Sequence, residues 1–277
     1  MKKISNETFQ HERALYGEIG LRLENCNFCG AQDGESALKE CRDIQVSDSY
    51  FDLRYPFWHD DRLTITNCEM TANCRAALWY SNCVEISGCK MHGIKAVREC
   101  SHVRVSDSEI ISQEWGWKSS DISLENSTIE SEYCLLMARD VKMSKVKMRG
   151  KYSFQYIQNG RFENSEFDTK DAWWHAKNVT IYNCVVKGEY LGWYSDGLTF
   201  RNCTIIGTQP LCYCKNLTLI NCKMIDTDLC FEKSELNADI VGEVVSIKNP
   251  YAGTITLDAV GEIIKDDIEA KADIIIR

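Results

Sequence analysis

The densest chemistry in this 277-residue chain lies in three short segments: Asp168-Thr169-Lys170-Asp171-Ala172-Trp173-Trp174-His175, Lys187-Gly188-Glu189-Tyr190-Leu191-Gly192-Trp193-Tyr194 and Gly207-Thr208-Gln209-Pro210-Leu211-Cys212-Tyr213. Their aromatic ends sit nineteen residues apart. If that step is one turn of a regular coil, Lys170 adjoins Glu189, and Asp171 adjoins Tyr190 and then Gln209. Trp174 then stacks beside Trp193, and His175 adjoins Tyr194 and Tyr213, with Tyr156 one turn earlier. His175, Glu189, Asp171 and Lys170 become candidate acids and bases for glycosidic cleavage, or for proton abstraction beside a carboxylate. Trp174, Trp193, Tyr194, Tyr213, Gln209 and Tyr156 become candidate substrate-binding groups, since flat rings beside polar groups suit a sugar ring and its hydroxyls. The bland reading of the same residues is a Lys170–Glu189 surface ion pair within aromatic packing. A second cluster, Trp58-His59-Asp60-Asp61 with Tyr80, Glu99 and Lys118, is a weaker signal because consecutive strand residues point to opposite faces. His92 and His102 lie apart from both clusters and read as surface residues.

These residues need an element that repeats, and one is present. An apolar-x-apolar-x-(Asn/Asp)-(Cys/Ser)-x-apolar phrase recurs eleven times, from LRLENCNF ending at Phe28 to LTLINCKM ending at Met224. Its Cys/Ser position falls at 26, 49, 68, 89, 108, 127, 146 (a Val), 165, 184, 203 and 222, so every step from 89 onward is nineteen. Period-two alternation in the phrase is a strand signal. A unit this short buries an apolar face only by stacking on its neighbours. Leucine-rich repeats share part of the phrase but need about 20–29 residues and a helical return, whereas the return segments here (AALWYS, YLGWYS, PLCYC) are aromatic and strand-like. A left-handed hexapeptide helix needs a multiple of six. The handedness of parallel crossovers favours the right-handed form. The expected fold is therefore all-β: a single right-handed parallel β-helix, or β-solenoid, of about eleven or more coils with three short strands each. Residues 1–12 read as an N-terminal cap, 13–235 as regular coils, and 236–277 as altered terminal coils and a cap.

Reading down the coils gives columns. The Asn/Asp column reads as an asparagine ladder at a turn, and the Cys/Ser column as small buried side chains. On the return segment, Leu38, Phe57, Leu78, Val97, Gly116, Leu135, Phe154, Trp173, Gly192, Leu211 and Cys230 form a core-facing column. The next column holds Trp58, Trp79, Trp117, Trp174 and Trp193 beside Lys39, Arg98 and Gln155. Its charges argue against full burial. Two readings stand: a ligand groove, or a stripe that fills a corner or covers a second subunit, making a homo-oligomer.

The chain has 41 Asp+Glu against 32 Lys+Arg, a formal charge of -9, which disfavours nucleic acid and anionic membrane as partners. No apolar run approaches the roughly 20 residues of a membrane span. Fifteen cysteines, an odd number, behind an N-terminus without an apolar signal core suit the cytoplasm better than a disulfide scaffold. Cys26-x-x-Cys29 lacks partners at metal spacing, so neither metal nor cofactor is expected.

The nineteen-residue coils and the strings KDAWWHAKNVTI (170–181), GEYLGWYSDGLTF (188–200) and IGTQPLCYCKNLTLINC (206–222) resemble an uncharacterised bacterial domain-of-unknown-function family of the pectin-lyase-like β-helix superfamily. The resemblance covers nearly the whole chain. It implies a right-handed β-helix and a carbohydrate-related role, and supplies no activity. An enzyme of this kind would be a carbohydrate-active hydrolase, lyase or epimerase. The competing class is a non-catalytic scaffold or oligomerisation module.

Overall fold

The computed structural model describes residues 1–30 and 34–277. The fold is a parallel β-helix of the right-handed class, and no α-helix occurs among the described residues. The chain forms two compact units, Met1–Asp140 and Val141–Arg277.

In the first unit, the strands Ile19–Glu24, Arg42–Ser47, Asp61–Thr66, Asn82–Ser87, Ser101–Ser106 and Ser120–Glu125 stack in parallel. Their register runs Leu21, Ile44, Leu63, Val84, Val103 and Ile122, and these side chains are buried. The N-terminus is already in this register: Lys2–Ser5 pairs with Ile19–Glu24, and Phe9 stacks on Phe28. In the second unit the corresponding strands are Gln158–Glu163, Lys177–Tyr182, Asp196–Arg201 and Leu217–Ile225. Phe162, Phe167, Trp173 and Phe200 fill the interior behind them. The strands Glu235–Lys248 and Ala252–Ile264 are longer, bulges shift their register, and the short strand Asp273–Ile276 ends the stack.

The third strand expected in each coil is present only in part. Phe57–Trp58, Leu78–Trp79 and Val97–Arg98 form a three-stranded sheet in the first unit. In the second unit the return segment is a turn. Alternate residues there, such as Asp171, Trp173 and His175, take φ of 52°, 58° and 55°, a left-handed conformation that breaks a strand.

The corner after each first strand explains the two polar columns. The residue there, Asn or Asp in most coils with Gly88 and Lys145 in two, has positive φ, for example Asn67 at 52° and Asn202 at 52°. The side chains link coil to coil, as in Asn183 Nδ2 to Asn164 Oδ1 (3.2 Å) and Asn221 Nδ2 to Asn202 Oδ1 (2.8 Å). The next residue's N–H faces the neighbouring coil's Cys/Ser side chain instead of a carbonyl. Ser108 Oγ accepts from Cys89 N (3.1 Å) and donates to Ser106 O (2.7 Å); Ser49 and Ser165 repeat the pattern. Smallness alone was the expected requirement. The structure adds that the group must accept one bond and donate another.

Asp60 occupies the same kind of position. Its Oδ1 accepts from Cys41 N (2.8 Å), while its buried Oδ2 has no partner. Burial pushes its carboxyl up to about 8, and the charge of Glu40 adds to the shift. A proton on Oδ2 gives it the donor that serine has.

Two outcomes follow. Ser108→Ala strands the buried Cys89 N–H and should lower stability by about 1–3 kcal/mol, whereas Ser108→Cys should retain most of it; urea unfolding distinguishes them. Asp60 binds its proton more tightly in the folded state, so its contribution is complete below about pH 4 and falls as pH rises toward 8. Asp60→Asn should therefore gain on the wild type by up to about 1.4 kcal/mol per pH unit across that window, measured by melts at pH 5 and pH 8.

Candidate functional site

The return segment is shaped before it can bind anything. At the coils of the second unit up to Lys233 three alternate residues have positive φ: Tyr190, Gly192 and Tyr194 in one, Gln209, Leu211 and Tyr213 in the next. For bulky residues this conformation costs roughly 1–2 kcal/mol each. Coil-to-coil hydrogen bonds offset that cost. The N–H groups of Asp171 and His175 donate to the next coil at Glu189 O (2.9 Å) and Trp193 O (2.9 Å), while Trp173 N donates back to Ser153 O (2.9 Å). Gly192 supplies the left-handed conformation without strain, and a Cβ there would lie 2.7 Å from Leu211 Cδ2. The middle residue of each trio faces inward, and the two residues after it form two outer columns.

The outermost column is a stack of rings. Tyr156 and His175 have centroids 4.7 Å apart, His175 and Tyr194 5.0 Å, and Tyr194 and Tyr213 4.9 Å, all within 12° of parallel. Tyr156 and Tyr194 are each 45% exposed. One step inward, Trp174 and Trp193 stack at 5.5 Å and 5°. Their indole N–H groups donate to Tyr190 O (2.6 Å) and Gln209 O (2.7 Å), so Gln209 enters the site through its carbonyl. Burial, with Glu232 nearby, raises the Tyr213 hydroxyl above its ordinary pKa. Each ring covers the face of the next, so the columns present edges, hydroxyls and ring nitrogens.

The predicted acids and bases form a separate group. Lys170 Nζ lies 3.6 Å from Glu189 Oε2, and both side chains are about half exposed. Asp171 is almost covered. Burial pushes its carboxyl above the usual range, opposed by Lys170 and reinforced by Glu189. Its carbonyl accepts from Gln155 Nε2 (2.9 Å). No hydrogen bond or ion pair joins His175 to Lys170, Asp171 or Glu189 among the described residues. The candidates are near neighbours in chain and register without forming an acid–base relay.

The second cluster builds a related ladder in the first unit. Lys39 Nζ lies 4.5 Å from the Trp58 ring, Trp58 stacks on Trp79 at 5.6 Å, and Arg98 sits 5.1 Å from Trp79 and 5.3 Å from Trp117. His59 stacks on Tyr80 at 4.9 Å. Arg98 is a plate within the stack, sandwiched between Trp79 and Trp117, while Lys39 sits over the face of Trp58, both held by cation–π attraction. Sequence reasoning read their charge only as a sign of exposure. Their recurrence in an aromatic column was the signal for sandwiching. No group of three or more His, Cys, Asp or Glu able to hold a metal occurs among the described residues, and no helix is long and apolar enough to cross a membrane.

Coils, corner ladders and ring stacks together define a β-helix protein with aromatic faces. The chain belongs to the family described as "Protein of unknown function (DUF3737)", which matches residues 2–277. No curated protein matches it. Among solved structures it is similar to the D339N mutant of the tailspike protein of E. coli bacteriophage HK620 in complex with a pentasaccharide (10% identity, TM-score 0.41, 88% of this chain and 60% of that one). It is also similar to the Streptococcus pneumoniae surface protein and adhesin PfbA (9%, 0.41, 99% and 91%). A third is the A-module of the Azotobacter vinelandii mannuronan C-5 epimerase AlgE4 (9%, 0.32, 99% and 89%). The chain spans about three-fifths of the tailspike's length.

Trp174→Phe should keep the stack and lose only the bond to Tyr190 O, at about 1 kcal/mol. Trp174→Ala should cost about 3 kcal/mol by removing the plate as well; chemical denaturation of the two variants measures the difference.

Proposed function

We propose that this protein is a cytosolic carbohydrate-binding β-helix that holds an extended oligosaccharide along Tyr156, His175, Tyr194 and Tyr213. One observation carries the reading: four polar-edged rings stand 4.7–5.0 Å apart, one per coil, on a rigid backbone ladder. That spacing is close to the advance of one sugar unit along an extended chain. Because the ring faces are taken by one another, recognition runs through tyrosine hydroxyls, imidazole nitrogens and ring edges. The Lys170–Glu189 and Lys187–Asp168 pairs, at 3.6 and 3.7 Å, supply a polar rim. The reading is of binding rather than turnover, since glycoside chemistry needs an acid and a base set across one bond, and His175 is not coupled to the carboxylates. The cytosolic placement rests on the thiols: Cys184 and Cys203, for example, donate to backbone carbonyls (3.2 and 3.3 Å), bonds that a disulfide would remove.

The test is calorimetric titration with neutral oligosaccharides, with products followed by chromatography and mass by light scattering. Tyr194→Ala and His175→Ala should each weaken binding about tenfold, or about 1.4 kcal/mol, with little loss of thermal stability and no product. Unchanged affinity in both variants would overturn the reading. A wild-type dimer that either variant splits would assign the stripe to a subunit interface instead.

A further inference from the structure

Within the first unit, away from the aromatic columns, the second residue of successive strands forms another column: Asp43, Arg62, Cys83, His102 and Asp121. All five have positive φ, between 49° and 57°. The equivalent positions in the second unit are Asn159, Asn178, Gly197 and Asn216, types that adopt this conformation readily. Arg62, Cys83 and His102 do so at a cost.

Their side chains form an ordered series. Arg62 bonds Asp43 through Nε to Oδ1 (2.6 Å) and Nη2 to Oδ2 (2.9 Å), and also meets Asp61. His102 Nδ1 lies 2.7 Å from Asp121 Oδ2, and Arg104 Nη2 donates to both Asp121 oxygens at 2.8 Å. Arg104, and then His102, hold the Asp121 carboxyl below its usual range. The register pairs Asn82 with Asp61 and Ser101, and Val84 with Leu63 and Val103. Cys83 therefore sits between Arg62 and His102, one strand spacing of about 4.8 Å from each.

Cys83 is the exposed thiol of the chain; Cys29 is half-buried and the others are buried. Many of the buried thiols donate to carbonyls in the corners, whereas the Cys83 sulfur accepts, from Asn82 Nδ2 at 3.3 Å. That amide is itself fixed by Asp61 Oδ1 (2.8 Å) and by Ser101 Oγ donating to Asn82 Oδ1 (2.8 Å). Cys83 opens into a groove of about 410 Å³ lined also by Arg62, Glu85, His102 and Arg104.

We propose that Cys83 is the nucleophile of an acyl-transfer site, with His102 as its base and Asp121 as the residue that positions His102. An exposed thiol, an imidazole one strand spacing away in the next coil and a carboxylate on that imidazole's Nδ1 supply the three groups such a site uses, the imidazole turning toward the sulfur in the substrate complex. The substrate class is an ester or thioester. With Nδ1 engaged by Asp121, His102 Nε2 takes the thiol proton as sulfur attacks the carbonyl carbon. The new C–S bond forms, the C–O or C–S bond to the leaving group breaks, and the departing alcohol or thiol takes the proton from His102. Water then cleaves the acyl-cysteine, releasing the acid and restoring the thiol; no electrons enter or leave.

The experiment treats the full chain with p-nitrophenyl acetate and with an acetyl thioester, following release and mapping adducts by mass spectrometry. In samples quenched during turnover, wild type should carry one acetyl group, on Cys83, that is lost again once the ester is consumed, and Cys83→Ser none. His102→Asn keeps a residue type suited to positive φ, so it should fold; it should acylate about 100-fold more slowly, with added imidazole restoring part of the rate. Asp121→Asn should slow acylation about tenfold and Asp121→Glu should recover it. An adduct at Cys83 that forms equally fast in a folded His102→Asn variant, or acetylation confined to lysines, would overturn the proposal.

Discussion

Every coil of this protein must satisfy its backbone at corners where φ is positive, and the neighbouring coil is the partner that does so. At the first corner an Asn or Asp takes the left-handed turn, and its side chain reaches along the stack. The next residue's N–H has no carbonyl opposite it, so a hydroxyl, thiol or carboxyl from the adjacent coil stands in. On the return segment, alternating left-handed residues send N–H groups to the coils on both sides. A chain built this way has little tolerance for proline, and only three are present.

The same register produces the surface. Once corners fix coils at one strand spacing, like residues must stack, and rings stack best. Tyr156, His175, Tyr194 and Tyr213 make one such stack, Trp174 and Trp193 belong to the tryptophan column beside it, and in the first unit that column's Lys39, Trp58, Trp79, Arg98 and Trp117 stack with cations in place of some rings. Stability and recognition draw on the same arrangement. The inner rings are held by neighbours and by indole N–H bonds, whereas the outer ones keep their polar edges free. Acids buried at the base of the return segment, Asp60 and Asp171, have raised pKa values because the corners exclude water there.

Much of this could be read in the residues. The nineteen-residue step gave the fold class and the adjacency of Lys170 with Glu189, Trp174 with Trp193, and His175 with Tyr194. Three features could not be read. The return segment looks strand-like because Trp, Tyr and Leu favour strands, and only the coil-to-coil bonding shows why they accept positive φ instead. The Cys/Ser column looks merely small, since hydrogen-bond direction is invisible in a string. Cys83, His102 and Asp121 are nineteen apart, so the step places them in one column, but nothing in the string marks that column as exposed or its residues as left-handed, and His102 reads alone as a surface residue.

Recognition along this face requires the exposed ring column to act as one unit. Nuclear magnetic resonance of tyrosine and histidine ring signals during titration with a neutral oligosaccharide tests this directly. The ring signals of Tyr156, His175, Tyr194 and Tyr213 should shift together along one saturation curve, while buried Trp115 and Trp173 stay fixed. Shifts that follow protein concentration instead of added sugar, or rings that respond independently, would contradict it.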